Sequence, residues 1–123
     1  MPPVLNESTS LYLQIAKMLE DGILRGIYPE ETQVPSTNEL ARTLRINPAT
    51  GAKGLNLLVE EGILYKRRGS GMFVAEGAAA QIRAKRREEF MTQYVKPMAA
   101  EAKKLGITPQ DLQAMVTACT QEE

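Results

Sequence analysis

A chain of 123 residues holds one domain, or a small domain with a short appendage, and excludes two large ones. Its 15 Lys and Arg balance 15 Asp and Glu, so any hold on nucleic acid or an anionic membrane has to come from local clustering of charge. Histidine is absent, which removes the Ser-His-Asp and Cys-His arrangements, the H-E-x-x-H zinc helix and the commonest general base.

The lone cysteine, Cys119, can form neither an intramolecular disulfide nor a cysteine-based zinc cluster. The neighbouring carboxylates Glu30-Glu31 and Glu60-Glu61 sit side by side in sequence and suggest no acid–base pair. The expectation is a protein that is not an enzyme and uses no cofactor or metal. The opening Met1–Ser8 lacks the basic and apolar regions of a signal peptide, and no apolar run approaches the ~20 residues of a membrane span. A soluble cytoplasmic protein, without membrane partners, is expected.

Leu11, Tyr12, Ile15, Met18, Leu19 and Ile23 form one helical stripe, with Lys17, Glu20 and Asp21 opposite, which predicts a helix over 11–25. Leu13 and Leu24 point away from that stripe and call for another cover. Ser36-Thr37-Asn38-Glu39 is a capping box, so a helix begins at Thr37 and carries Leu40, Ala41 and Leu44. It is short because Asn47-Pro48 follows, an N-cap residue and a proline suited to the first position of the next helix. Two helices joined by so short a turn are a helix-turn-helix signature.

The third helix is predicted from Pro48 to Glu61, with Gly51, Ala52, Leu55, Leu58 and Val59 inward and Ala49, Thr50, Lys53, Asn56, Leu57 and Glu60 outward. Gly51 and Gly54 each cost roughly 1 kcal/mol of helix propensity relative to alanine. Because Gly51 faces inward, its expected compensation is close approach to the preceding helix. Next, Ile63–Lys66 and Met72–Ala75 flank Arg67-Arg68-Gly69-Ser70-Gly71, a β-hairpin with a basic tip.

From Gly77 the chain shifts to alanine, charge and methionine, with Ile82, Phe90, Tyr94, Met98 and Leu105 at helical spacing and a kink expected near 93–97 from Pro97. Thr108-Pro109-Gln110-Asp111 opens a last helix bearing Leu112, Met115 and Val116. The reading is mainly α with a small β-hairpin: a winged helix-turn-helix over 1–76, then a helical dimerisation segment over 77–123.

Residues 11–75 together resemble the DNA-binding domain of the GntR family of bacterial transcription regulators. The resemblance rests on Leu11-Tyr12-Leu13-Gln14-Ile15-Ala16, Val34-Pro35-Ser36-Thr37-Asn38-Glu39-Leu40-Ala41, Ile46-Asn47-Pro48-Ala49-Thr50, Glu61-Gly62-Ile63-Leu64-Tyr65 and Arg68-Gly69-Ser70-Gly71-Met72-Phe73-Val74. Asn47-Pro48 before the third helix and the short tail resemble the YtrA-like subfamily, which carries a two-helix dimerisation segment. Against the usual pattern, Asn38 and Pro48 stand where arginines are common, Gly51 where valine is, and Glu30-Glu31 where the loop has Pro-Gly.

The resemblance implies a DNA-binding regulator, acting as a repressor of a nearby operon and binding a pseudo-palindromic operator as a homodimer. Thr50, Lys53 and Asn56 become the base-reading candidates, since a helix that presents small residues first, such as Ala49, can enter the ~12 Å major groove. Between Arg42 and Arg68 six basic residues stand against Glu60 and Glu61, a clustering suited to phosphates. The candidate DNA-contacting set is Ser36, Thr37, Asn38, Arg45, Asn47, Ala49, Thr50, Lys53, Arg67, Arg68, Gly69 and Ser70. The dimerisation set is Ile82, Phe90, Tyr94, Met98 and Leu105. A small-molecule effector would find an apolar crevice near Leu13, Leu24, Tyr94 and Met98. The alternative is a winged helix serving as a protein-interaction module, which would not need the basic cluster.

Overall fold

The computed structural model describes residues 10–122. Met1–Ser8, expected from its sequence to be no leader, lies outside them. Among the described residues no helix is long and apolar enough to cross a membrane. The chain divides into two compact units, one ending at Ala84 and the other beginning at Lys85.

In the first unit, α1 (Leu11–Leu24) buries Ile15, Leu19 and Ile23, the expected i, i+4, i+8 stripe. Helix α2 (Thr37–Leu44) opens with the capping box in place: the Ser36 hydroxyl accepts from the Glu39 N–H at 3.1 Å, and the Glu39 carboxylate accepts from the Ser36 N–H at 3.1 Å. Helix α3 (Pro48–Glu60) is capped by the Asn47 side chain, which accepts from the Ala49 N–H at 2.9 Å. The three helices converge on a core completed by Val34, Leu40, Leu55, Leu58, Ile63, Leu64 and Val74. Each such aliphatic side chain contributes about 1.5–3 kcal/mol on burial.

The close helix approach falls elsewhere than expected. A Cβ on Gly51 would meet nothing nearer than 3.7 Å, the Leu40 Cβ and the Thr37 carbonyl, so a methyl fits between α3 and α2. A Cβ on Gly54 would stand 3.0 Å from both the Ile15 Cγ2 and the Tyr12 carbonyl oxygen. Three residues along a helix leave the side-chain direction about 60° short of a full turn, and it is the direction toward α1 that lacks room.

Strands β1 (Leu64–Arg67) and β2 (Gly71–Val74) pair antiparallel, Leu64 opposite Val74 and Arg67 opposite Gly71. The tip is therefore the three residues Arg68-Gly69-Ser70, shorter than the sequence suggests. Residues 31–34 line the other edge of β2: the Glu31 N–H donates to the Val74 carbonyl at 2.8 Å and the Val34 N–H to Met72 at 3.0 Å. Gly71 has φ +107°, and a Cβ on it would lie 2.6 Å from the Gln33 Nε2, the amide that donates to the Ser70 carbonyl. Only glycine serves there.

The composition shift in the sequence puts the boundary at 76/77, but the start of α4 (Ala78–Phe90) belongs to the first unit. Ala78 and Ile82 are 0% exposed within its core. The Glu30 carboxylate accepts from the Gly77 N–H at 2.8 Å, and the Gln81 amide donates to the Glu61 carbonyl. Ile82 consequently leaves the dimerisation set, because its side chain is already covered by its own chain.

The second unit takes α4 from Lys85 onward, a π-helical turn over Met91–Val95, α5 (Lys96–Lys104) and α6 (Pro109–Thr120). Pro97 offers no N–H to the preceding turn, and the disturbance appears as this wider turn while Phe90, Val95 and Lys96 keep helical dihedrals. Thr108 caps α6 by accepting from the Asp111 N–H at 3.1 Å, with Pro109 in the first turn.

Candidate nucleic-acid interface

The helix-turn-helix is assembled by local chemistry. Arg45 ends α2 at φ 55°, ψ 52°, a left-handed conformation that costs an ordinary residue about 1–2 kcal/mol. The chain reverses there and reaches Asn47, whose side chain and carbonyl both serve the start of α3. At the other helix start, the Glu39 carboxyl is held below its ordinary 4.5 by the Ser36 backbone N–H, then by the Ser36 hydroxyl, with Arg42 adding to the effect.

Besides Arg45 and Asn47 in the turn, the candidate residues fall in three places. Ser36, Thr37 and Asn38 form the first turn of α2, where the Ser36 hydroxyl is already engaged as a cap. Ala49, Thr50 and Lys53 lie on the outer face of α3 beside Asn56; Thr50 is half-buried and the others are exposed. Arg67, Arg68, Gly69 and Ser70 occupy the hairpin and its tip, all exposed.

Two residues that look alike in sequence part company on the hairpin. The Arg67 guanidinium lies 3.8 Å from the centre of the Phe73 ring, donates to the Tyr65 hydroxyl at 2.8 Å and stands 3.9 Å from the Glu31 carboxylate. The Tyr65 hydroxyl in turn donates to Glu31. Arg67 is thus held against the face of the wing, whereas Arg68 at the tip, like Arg45 and Lys66, joins no ion pair among the described residues. Glu31 itself adopts φ 66°, in the loop position where the family pattern has glycine.

Tyr12 is absent from the DNA-contacting set that the sequence suggests. The Lys53 Nζ sits 4.1 Å from the centre of the Tyr12 ring, and two surface clefts bordering α3 are each lined by Tyr12, Ala49 and Lys53. The amphipathic stripe assigns Tyr12 to the core, and it is half-buried; nothing in the spacing shows that the exposed part of its ring meets α3.

In the second unit Phe90, Tyr94, Met98 and Leu105 are exposed, Phe90 at 57% and Leu105 at 65%, with the Phe90 and Tyr94 ring centres 5.6 Å apart. An apolar cleft of about 450 Å³ is lined by Met98, Leu105, Leu112, Met115, Val116 and Cys119 together with neighbours on α5 and α6. Of the residues named for an effector, Leu13 is exposed on α1, Leu24 packs against the first unit's core, Tyr94 is exposed and Met98 lines this cleft.

Residues 11–74 match the family model "Bacterial regulatory proteins, gntR family". The chain is 37% identical over 71 residues to the HTH-type transcriptional repressor YtrA of Bacillus subtilis strain 168, covering 58% of this chain and 55% of YtrA. It is 31% identical over 107 residues to the HTH-type transcriptional regulator YhcF of the same organism, covering 85% of each. The chain thus spans about half the length of YtrA and most of YhcF. Among solved structures, a GntR family transcriptional regulator from Listeria monocytogenes superposes with TM-score 0.77 at 28% identity, over 93% of this chain and 98% of that one. The AraR DNA-binding domain in complex with operator ORR3 superposes with TM-score 0.53 at 29% identity, over 61% of this chain and 92% of that one. With the capped helix-turn-helix and its antiparallel wing accounting for the segment that the family model matches, the chain belongs to the GntR family of DNA-binding bacterial transcriptional regulators.

Proposed function

We infer that this regulator binds a pseudo-palindromic operator as a homodimer and acts there as a repressor in the cytoplasm. Helix α3 enters the major groove with Ala49 and Thr50 leading and Lys53 and Asn56 reaching base edges, and Arg68 meets the phosphate backbone from the wing. The observation that carries this reading is the outer face of α3: capped at Asn47, opened by small side chains and bearing an exposed cation. The superposition on a DNA-binding domain in complex with its operator supports it. Ser36, Thr37, Asn38 and Asn47 supply positioning contacts at the two helix starts, where backbone N–H groups favour an anion, and Arg45, in the turn between the helices, adds a cation for a phosphate.

The homodimer reading rests on the apolar side chains that the second unit leaves uncovered, Phe90, Tyr94, Met98 and Leu105 with Met115 and Val116. Pairing two copies about a two-fold axis would cover them, and a two-fold operator asks for two reading helices about one helical turn, ~34 Å, apart. An effector that loosened this pairing would release the operator, and the cleft lined by Met98 and Leu105 is where a small apolar molecule would act.

The test is selection of duplexes from a randomised library by the full chain, followed by binding across a salt series. Enrichment of an inverted repeat, with affinity falling steeply as salt rises, is expected. Salt-insensitive association without enrichment would point to a protein-interaction module instead.

A further inference from the structure

Lys53 does not stand alone on α3. Gly54, the next residue, lets α1 lie so close that the Tyr12 carbonyl is 3.0 Å from where a Cβ would be. That approach carries the Tyr12 ring up beside the outer face of α3, where the Lys53 Nζ sits 4.1 Å from its centre. A lysine side chain has a flexible four-carbon stem and a strongly hydrated head, so by itself it reads a base edge with little directional preference. An ammonium resting on an aromatic face loses much of that freedom and keeps N–H donors free to point elsewhere. The clefts on either side of the pair are lined by Ala49 and Thr50 toward the helix start and by Asn56 further along, so the restrained ammonium sits among the groups assigned to the bases.

We propose that Tyr12, a residue of α1 outside the helix-turn-helix, is a positioning residue for sequence readout: its ring holds the Lys53 ammonium in the orientation that meets a guanine edge. The inference rests on the reading of α3 as the base-reading helix. Gly54 is part of the same device, since any side chain there would push α1 and the ring away.

The probe is a duplex selected by the wild-type chain from a randomised library, with the unselected library as the non-specific reference. Tyr12→Leu keeps an apolar side chain but removes the aromatic face. It should lower the ratio of specific to non-specific affinity about two- to five-fold, the range of an exposed cation–π contact, with little change in binding to the unselected library. Tyr12→Phe keeps the ring and should retain the wild-type ratio. In a Lys53→Ala background, Tyr12→Leu should change the ratio no further.

A wild-type ratio in Tyr12→Leu, confirmed folded by circular dichroism, overturns the proposal while leaving the α3 reading intact. A loss in Tyr12→Phe as large as in Tyr12→Leu assigns the effect to the hydroxyl and also overturns it. Equal loss on both DNAs marks Tyr12 as a backbone contact, again against the proposal. Failure of the wild type to enrich any sequence removes the α3 reading and this inference with it.

Discussion

At the scale of single residues, the two glycines of α3 separate propensity from packing. Gly51 has room for a methyl at ordinary van der Waals distance. Gly51→Ala should therefore stabilise the chain by up to about 1 kcal/mol through helix propensity. Gly54→Ala inserts a methyl 3.0 Å from a carbonyl oxygen and a packed isoleucine, and should destabilise despite the same propensity gain. Urea denaturation of both variants decides the point, and opposite signs are the expected outcome.

The paired arginines differ in the same way. Arg68→Ala should flatten the slope of log K against log salt by about one unit. Arg67→Ala should leave that slope near wild type and lower stability instead, because its guanidinium is held by Phe73, Tyr65 and Glu31. A flattened slope in both variants would return Arg67 to the phosphate-contacting set.

Among the elements, α2 is the one whose cap includes a carboxyl with a shifted ionisation. Glu39 is held below its ordinary 4.5 in the folded chain, so the capping box adds stability at pH values above the unfolded carboxyl's range. That contribution is lost as the pH falls through the lower folded value. Glu39→Gln can still accept from the Ser36 N–H but does not titrate, so acid should weaken the variant less than the wild type when the urea midpoint is followed downward from neutral pH. Parallel acid curves would show that the carboxylate's charge is immaterial to the cap.

Elements governed by local rules are legible in the amino-acid sequence itself. Ser36-Glu39, Asn47-Pro48 and Thr108-Pro109 fix their helix starts through hydrogen bonds spanning three residues or fewer, and all three caps are present. What depends on distant partners is not legible there. Ile82 sits at helical spacing with Phe90 and Tyr94, yet it falls to the first unit because the Glu30 carboxylate and the Glu61 carbonyl fasten the start of α4 there. Arg67 differs from Arg68 through the Tyr65 hydroxyl, the Phe73 ring across the hairpin and Glu31, many residues away. For the same reason periodicity assigns Tyr12 to the core and does not show it reaching Lys53.

For the whole molecule, the proposed two-half-site operator calls for a pair of winged helices, because a single one reads only a few base pairs. The second unit leaves Phe90 and Tyr94 exposed with their rings 5.6 Å apart. Phe90→Asp should leave the first unit folded, dissociate the proposed homodimer in sedimentation at micromolar concentration and remove tight operator binding. A variant that remains dimeric, or a wild type already monomeric at that concentration, would place the contacts elsewhere. The most direct test of a dimeric operator reader is the sequence that the wild-type chain enriches from a randomised duplex library. Two inverted half-sites with centres about one helical turn apart are expected. Enrichment of a lone half-site, or of no sequence at all, would contradict that expectation.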